Sequence, residues 1–374
     1  MRLHPLDGLL YLAVRTIKSL DRRDTELKSF SPGGIRNILV VSTTAIGDTL
    51  LSTPAINAVR RRYPHARIIA HFNVKNMELF ENNQDIDGII PYYGGYRRFF
   101  RTILEMRRSG FDLVLILHGN EPQATPMAYL SGARFIFKTP VPEKNGFLLS
   151  NRGEGDRHKE RHAIDTRLRT VSYADCREFS RAMVLKVERE YMDHLEDFLK
   201  GTGVLDGRII IGFQPGAANA YKMWPSERFI DLGRRLVSAA PDVRIIITGS
   251  RSEGKLCGYI AEKIGREAVS VAGKVSLKLL GALVSRLEVL VTNDTGTMHM
   301  AVALKTKTVS LFCPTDPLGV GALQDRHLHR IIHKRRPCSP CITKRCGEPF
   351  CMNRIEVEEV FEAVTESIYE NSTL

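Results

Sequence analysis

Three stretches place acids, hydroxyls or a lysine directly behind apolar runs, where a parallel sheet delivers side chains to a ligand. In "LEVLVTNDTGTMHMAVAL" (287–304) a run of Val and Leu ends in Asp294, Thr295, Gly296 and Thr297, with His299 two residues on. Strand, turn and helix is the physical reading. Unpaired N–H groups at the helix start, together with the threonine hydroxyls, make a receptor for an anion such as a diphosphate, and His299 adds a donor. The simpler alternative is that Asp294 only caps the helix, because Asp and Thr are preferred caps.

The stretch "NILVVSTTAIGDTLLSTPAINAVRRRYP" (37–64) repeats the pattern, with a loop from Thr43 to Gly47 and a helix beginning near Asp48. A carboxylate there can accept a proton from a substrate hydroxyl, whereas the bland role is again a helix cap. Pro54 inside this helix predicts a kink or a late start. The third stretch, "QPGAANAYKMWPSERF" (214–229), leaves a strand through Pro215 and Gly216 and presents Lys222 and Trp224 before a helix opened by Pro225 and Ser226. Lys222 is a candidate to neutralise a departing diphosphate, against the alternative of a solvated lysine. Trp224, the only tryptophan, reads as core.

Other motifs fail on their chemistry. "GSRSEGK" (249–255) has P-loop spacing, but Leu256 replaces the hydroxyl residue that holds magnesium, and the motif follows no first strand. No G-x-G-x-x-G follows the first strand, so a dinucleotide dehydrogenase has no support. Neither a Ser-His-Asp order nor an HExxH motif is present.

Positioning these residues calls for alternating strands and helices. Short apolar runs occur at 37–42, 66–72, 87–92 and 111–119, then at 207–216, 242–250, 267–273, 287–294 and 306–314, separated by helix-period segments. That alternation predicts an α/β protein of two doubly wound parallel-sheet halves. Between them lies a polar region, roughly 151–200, with the boundary expected near 200–206. Leu3, Leu6, Leu10, Val14 and Ile17 fall at helical spacing among basic residues, which describes a basic amphipathic helix resting either on its own domain or on an anionic membrane.

The chain has 374 residues and a formal charge of +12, which suits two well-filled domains and an anionic partner. No apolar run approaches the roughly 20 residues of a transmembrane helix, and Asp7 comes early, so a cytoplasmic protein is expected. Basic residues Arg97, Arg98, Arg101, Arg107 and Arg108 are candidates to meet acceptor phosphates, or form a solvated helix face. Cys338, Cys341, Cys346 and Cys351 have the spacing C-x2-C-x4-C-x4-C, which permits a structural zinc or iron site and equally permits unligated thiols.

Taken together and in this order, "STTAIGDTLLSTPAINAVRRRYP", "QPGAANAYKMWPSERF" and "VTNDTGTMHMAVALKTKTVSLFCPTDP" (291–317) resemble glycosyltransferase family 9, the family of the ADP-heptose:lipopolysaccharide heptosyltransferases. The resemblance covers most of 35–360. It implies a GT-B fold, two Rossmann-like domains facing a cleft. Residues 35–205 would bind the acceptor and 206–345 the donor, after a basic extension (1–34) and before a helical segment (346–374) packing back towards the first domain. It implies inverting transfer from a nucleotide sugar, usually ADP-heptose, to the lipopolysaccharide core or a lipid-linked saccharide, with no catalytic cofactor.

On the same resemblance Asp48 matches the family's proposed general base and Lys222 its diphosphate-binding lysine. Asp294, Thr295, Gly296, Thr297 and His299 match its donor turn. Thr44, Gly47 and Gly216 join the donor contacts, and Glu253 aligns with the acidic residue that holds the ribose. An anionic inner-membrane surface is an expected partner and nucleic acid is not, since aromatics interleaved with basic residues are scarce. The rival readings are a GT-B enzyme that transfers another sugar or epimerises a nucleotide sugar, and a non-catalytic basic protein that binds glycolipid or polyanion by charge.

Overall fold

The computed structural model describes residues 5–139, 144–154, 161–200, 202–206, 208–334, 338, 346 and 351–369. The chain divides into two compact units, Met1–Met183 and Val184–Leu374.

The first unit runs α1 (Pro5–Leu20), β1 (Asn37–Ser42), α2 (Ile46–Leu50), α3 (Thr53–Arg62), β2 (Arg67–Asn73), β3 (Gly88–Tyr92), α4 (Phe99–Ser109), β4 (Leu113–His118), α5 (Ala124–Leu130), β5 (Phe135–Lys138) and α6 (Ala163–Ser172). Its sheet is ordered β3-β2-β1-β4-β5, and every pairing is parallel. Helices cover both faces of such a sheet, which is why β1 and β4 read as unbroken apolar runs rather than alternating ones. Leu39, Val41, Val114 and Ile116 share a core with Ile103 and Met106 of α4 and Met127 of α5.

Pro54 behaves as its ring chemistry demands. The helix expected to run on from Asp48 breaks at Leu51 and Ser52, and Pro54 falls in the first turn of α3, where its missing N–H costs nothing.

The second unit runs α7 (Arg189–Leu199), β6 (Ile209–Gln214), α8 (Ser226–Ala239), β7 (Val243–Ile247), α9 (Gly254–Ile264), β8 (Ala268–Ser270), α10 (Leu277–Arg286), β9 (Val289–Asn293), α11 (Gly296–Ala303), β10 (Lys307–Phe312), α12 (Pro317–Val320), β11 (His329–His333) and α13 (Val357–Tyr369). Its parallel sheet is ordered β11-β10-β9-β6-β7-β8. Trp224 is 1 % exposed and lies edge-on to Phe229 within the unit's core, as its reading as a core residue requires.

The division of the chain departs from the expected one in three places. α7 packs on α10, with the Ser285 hydroxyl 3.5 Å from Met192 Sδ, so the boundary falls after Met183 rather than after 205. The described part of the N-terminal segment is no extension: Val14 is buried in the first core, and Asp7 Oδ1 accepts from Tyr96 Oη at 2.7 Å and Gln123 Nε2 at 3.1 Å. The last helix, expected to pack back towards the first domain, buries Val360 and Val364 in the second unit's own core and packs on α8.

In an open parallel sheet the chain leaves the first-formed strand in one direction and later crosses to its other side, opening a crevice at the carboxyl ends where the order reverses. Here that point lies between β1 and β4 in the first unit and between β6 and β9 in the second. The candidate residues gather at both.

Candidate active site

In the first unit Asp48 sits in the first turn of α2, just past the end of β1, with its side chain 30 % exposed. The N-cap position of the helix is Ala45, and Asp48 follows three residues later in the first turn. Its oxygens are held from two sides. Oδ1 accepts from Arg167 Nη2 at 3.1 Å, and Oδ2 accepts from the Thr44 hydroxyl at 2.9 Å. Thr44 also meets His118 Nδ1 at 2.8 Å, and His118 Nε2 stands 3.7 Å from Asp48 Oδ1.

Arg167, on α6, is only 2 % exposed and donates further to Ser52 Oγ at 2.9 Å and to the Ala163 carbonyl at 2.9 Å. Burial pulls its pKa down to about 10, while Asp48 pushes the other way, so the guanidinium stays charged at neutral pH. Gly47 is buried in the same turn of α2. Thr44, expected among the donor contacts, spends its hydroxyl on Asp48 and His118.

Sequence reasoning missed Arg167 and His118. His118 ends β4, the strand beside β1, and the rule of the carboxyl ends could have flagged it. Arg167 carries no local signal, since only the fold brings it to a residue 119 positions away.

In the second unit the turn after β9 and the loop after β6 meet. Lys222 Nζ bonds Asp294 Oδ2 at 2.6 Å, and the carboxylate is only 9 % exposed. The cap of α11 is Thr295, whose hydroxyl accepts from the Met298 N–H, so Asp294 serves Lys222 rather than the helix end. Gly296 and Thr297 form the first turn of α11, Thr297 donates to Gln214 Oε1 at 3.2 Å, and His299 is buried at 5 % exposure.

Asn293, also missed, fastens both ends of the 215–224 loop that carries Lys222. Its amide donates to the Pro215 carbonyl at 2.8 Å and its oxygen accepts from the Trp224 N–H at 3.1 Å. Gly216 lies against the Glu253 carboxylate, which would have to move to admit a Cβ there. Glu253 accepts from the Ser250 N–H at 2.6 Å and hydroxyl at 2.9 Å, bracing the turn after β7.

Of the two readings of the cysteine cluster, the metal site finds no support among the described residues. Among the described residues no three His, Cys, Asp or Glu side chains are placed to hold a metal. Cys338 is exposed, Cys346 partly buried and Cys351 buried beside Met352 in the second core, and Cys341 lies outside the described residues. Arg97, Arg98, Arg101, Arg107 and Arg108 are exposed on α4 and its approach, with Arg98 stacked 4.1 Å over the Tyr93 ring. Among the described residues no helix is long and apolar enough to cross a membrane.

Two doubly wound parallel-sheet units in one chain are the architecture of GT-B glycosyltransferases. The model of glycosyltransferase family 9 (heptosyltransferase) matches residues 103–351, well over half of the chain, and the chain belongs to that family. It is 23 % identical over 350 residues to lipooligosaccharide heptosyltransferase 2 of Campylobacter jejuni, covering 87 % of this chain and 98 % of that one. The glycosyltransferase family 9 structure from Veillonella parvula superposes with a TM-score of 0.78 at 24 % identity, covering 90 % of this chain and 98 % of that one. The ADP-heptose lipopolysaccharide heptosyltransferase II of E. coli superposes with a TM-score of 0.74 at 19 % identity, covering 90 % and 100 %.

The ion pair around Asp48 can be weighed directly. A fully buried pair that loses one partner typically costs about 3–5 kcal/mol, and because Asp48 is partly exposed Arg167→Met should cost less, about 1–3 kcal/mol. Urea unfolding of Arg167→Met, Asp48→Asn and the double variant should give a coupling above about 0.5 kcal/mol. Strict additivity would mean that the pair does not hold the site together.

Proposed function

We propose that the chain transfers heptose from ADP-heptose to a hydroxyl of the lipopolysaccharide core or a related lipid-linked saccharide, with inversion at the anomeric carbon. The observation that carries this reading is Asp48: a carboxylate at the β1/β4 switch point, partly open to solvent, oriented by Arg167 and Thr44. A base at the acceptor oxygen is what a single displacement requires, since the hydroxyl must lose its proton as it attacks. The names of the relatives support heptose and a lipopolysaccharide acceptor.

Asp48 takes the proton from the acceptor hydroxyl. The freed electron pair forms the bond to the anomeric carbon on the face opposite the diphosphate, and the bond from that carbon to the diphosphate oxygen breaks with its pair. Charge then builds on the nucleotide. Lys222, with two donors beyond the one it gives Asp294, and the N–H groups of Gly296 and Thr297 at the start of α11 receive it. His299 supplies a further donor along the same helix. Gly216 lets the backbone of its loop come close to the donor, and Glu253 beside it holds the ribose. The protein's residues carry every one of these steps.

We also place the enzyme on the cytoplasmic face of an anionic membrane. The inner face of α1 packs through Leu10 and Val14, while Leu9, Leu12 and Leu20 on the outer face are 64 %, 59 % and 76 % exposed. On the same unit Phe100 and Leu104 of α4 are 78 % and 55 % exposed among Arg97, Arg98 and Arg101. Apolar side chains ringed by arginine suit the boundary between acyl chains and anionic headgroups. In sedimentation with phosphatidylglycerol vesicles the wild-type protein should pellet, and the Leu9→Asp, Leu12→Asp variant should stay in solution. Equal pelleting of both would remove α1 from the contact.

For the transfer itself, Asp48→Ala should lose about two to four decades of kcat with ADP-heptose. Lys222→Ala should lose about 2.7–4 kcal/mol of transition-state stabilisation, the loss seen when one oxyanion donor is removed. Near-normal turnover in either variant removes that residue from the mechanism.

A further inference from the structure

The first-unit site contains a histidine that the displacement described above does not use. Thr44 has a single hydroxyl proton and sits between two acceptor-capable atoms, Asp48 Oδ2 at 2.9 Å and His118 Nδ1 at 2.8 Å. A carboxylate cannot donate, so the Thr44 proton goes to Asp48 and the second contact must run the other way, with Nδ1–H donating to Thr44 Oγ1. This settles the tautomer of the neutral ring. Nε2 is then the bare nitrogen, and it faces Asp48 Oδ1 across 3.7 Å. Two basic atoms facing each other at that separation are a place for a proton to move, since contacts of this kind are commonly long without substrate and tighten around it.

We propose that His118 is a proton-relay residue acting through Asp48: Nε2 receives the proton that Asp48 Oδ1 takes from the acceptor hydroxyl, and releases it to water. The inference rests on Asp48 being the base of the transfer. In sequence, the acceptor O–H bond breaks and its proton goes to Oδ1 while the oxygen bonds the anomeric carbon and the diphosphate leaves with its electron pair. The proton then passes from Oδ1 to Nε2, giving an imidazolium that Thr44 Oγ1 steadies through Nδ1–H. Loss of that proton from Nε2 to solvent restores both groups.

The surroundings set the resting state of the ring. The groups that act on the ring are Asp48 on α2, Arg167 on α6 and Lys138 on β5, the last paired with Glu121 at 2.9 Å. The protein packed around the ring is the largest influence and pushes the pKa of His118 below its ordinary value. Arg167 and Lys138 push the same way, and Asp48 opposes them. These influences favour the neutral ring at rest, and Asp48 is the one that favours its protonation. With 42 % of its side chain exposed, His118 can also pass the proton on. Arg167 donates to the same Oδ1 at 3.1 Å.

The test compares wild type, His118→Asn and His118→Gly in transfer from ADP-heptose. Asn keeps an N–H near the position of Nδ1 for Thr44 but offers no basic nitrogen towards Asp48. We expect His118→Asn to lose about a hundredfold in kcat, the low end of the range for a positioned acid–base group, with KM for both substrates within about twofold. The acid limb of the wild-type kcat profile should change shape in the variant, and added imidazole should restore turnover to His118→Gly. Wild-type kcat and an unchanged pH profile in His118→Asn would overturn the relay. So would a His118→Gly enzyme that imidazole does not rescue, since that loss would be structural. ¹⁵N NMR of the substrate-free protein should show the Nδ1–H tautomer, and the Nε2–H tautomer overturns the proposal independently of turnover. A wild-type protein that transfers no sugar overturns the reading beneath it, an outcome distinct from an active enzyme indifferent to His118.

Discussion

A guanidinium removed from water needs a carboxylate, and much of the first unit's chemistry follows from that need. Arg167 is buried on α6 with its charge intact, and leaving it unpaired would cost several kcal/mol. Asp48 meets the requirement from α2, Ser52 fills a second donor direction, and the Ala163 carbonyl a third. The break between α2 and α3 is part of the arrangement, for Ser52 lies in that break and its hydroxyl also bonds the Asp48 carbonyl at 2.8 Å. One cation thus orients the carboxylate and locks the turn that presents it.

The second unit solves a related problem with a pair in which the cation, not the carboxylate, is the more exposed partner. Lys222 lies in a loop that makes a single short turn, and such a loop would wander without attachment. Asn293 ties down both ends, and Trp224 anchors the far side through its indole N–H to the Ile355 carbonyl at 2.9 Å. Asp294, the residue before the cap of α11, then holds the ammonium. α13 supports the loop from beyond, because the segment leading into it receives the Trp224 bond. An anion arriving at the helix would find its counter-charge already placed, and preorganisation of this kind is what makes such donors effective in a transition state.

Much of this was legible in the sequence, and unevenly so for physical reasons. The run "NILVVS" matches β1 residue for residue, because a strand buried on both faces has no option but continuous apolar side chains. "FIFK" and "HRIIH" escaped notice as β5 and β11, the former too short and the latter too polar to stand out, and both lie at sheet edges where only one neighbour need be satisfied. Asp48, Lys222 and Asp294 were singled out because strand ends are where such sheets bind ligands. Their partners divide by distance. Thr44 and Asn293 lie within quoted motifs, whereas His118 and Arg167 are joined to Asp48 only by the order of strands and the packing of α6. The boundary was misplaced because α7 is polar on its outer face and hides its attachment to α10.

The account rests on a single displacement in which the acceptor oxygen attacks opposite the diphosphate, with Asp48 as its base. The anomeric configuration of the product tests this most directly. After transfer from ADP-heptose of defined configuration, the one-bond coupling between C1 and H1 of the new linkage should report inversion. Retention would mean two displacements or attack from the face the diphosphate leaves, and would contradict the opposite-face displacement assigned to Asp48.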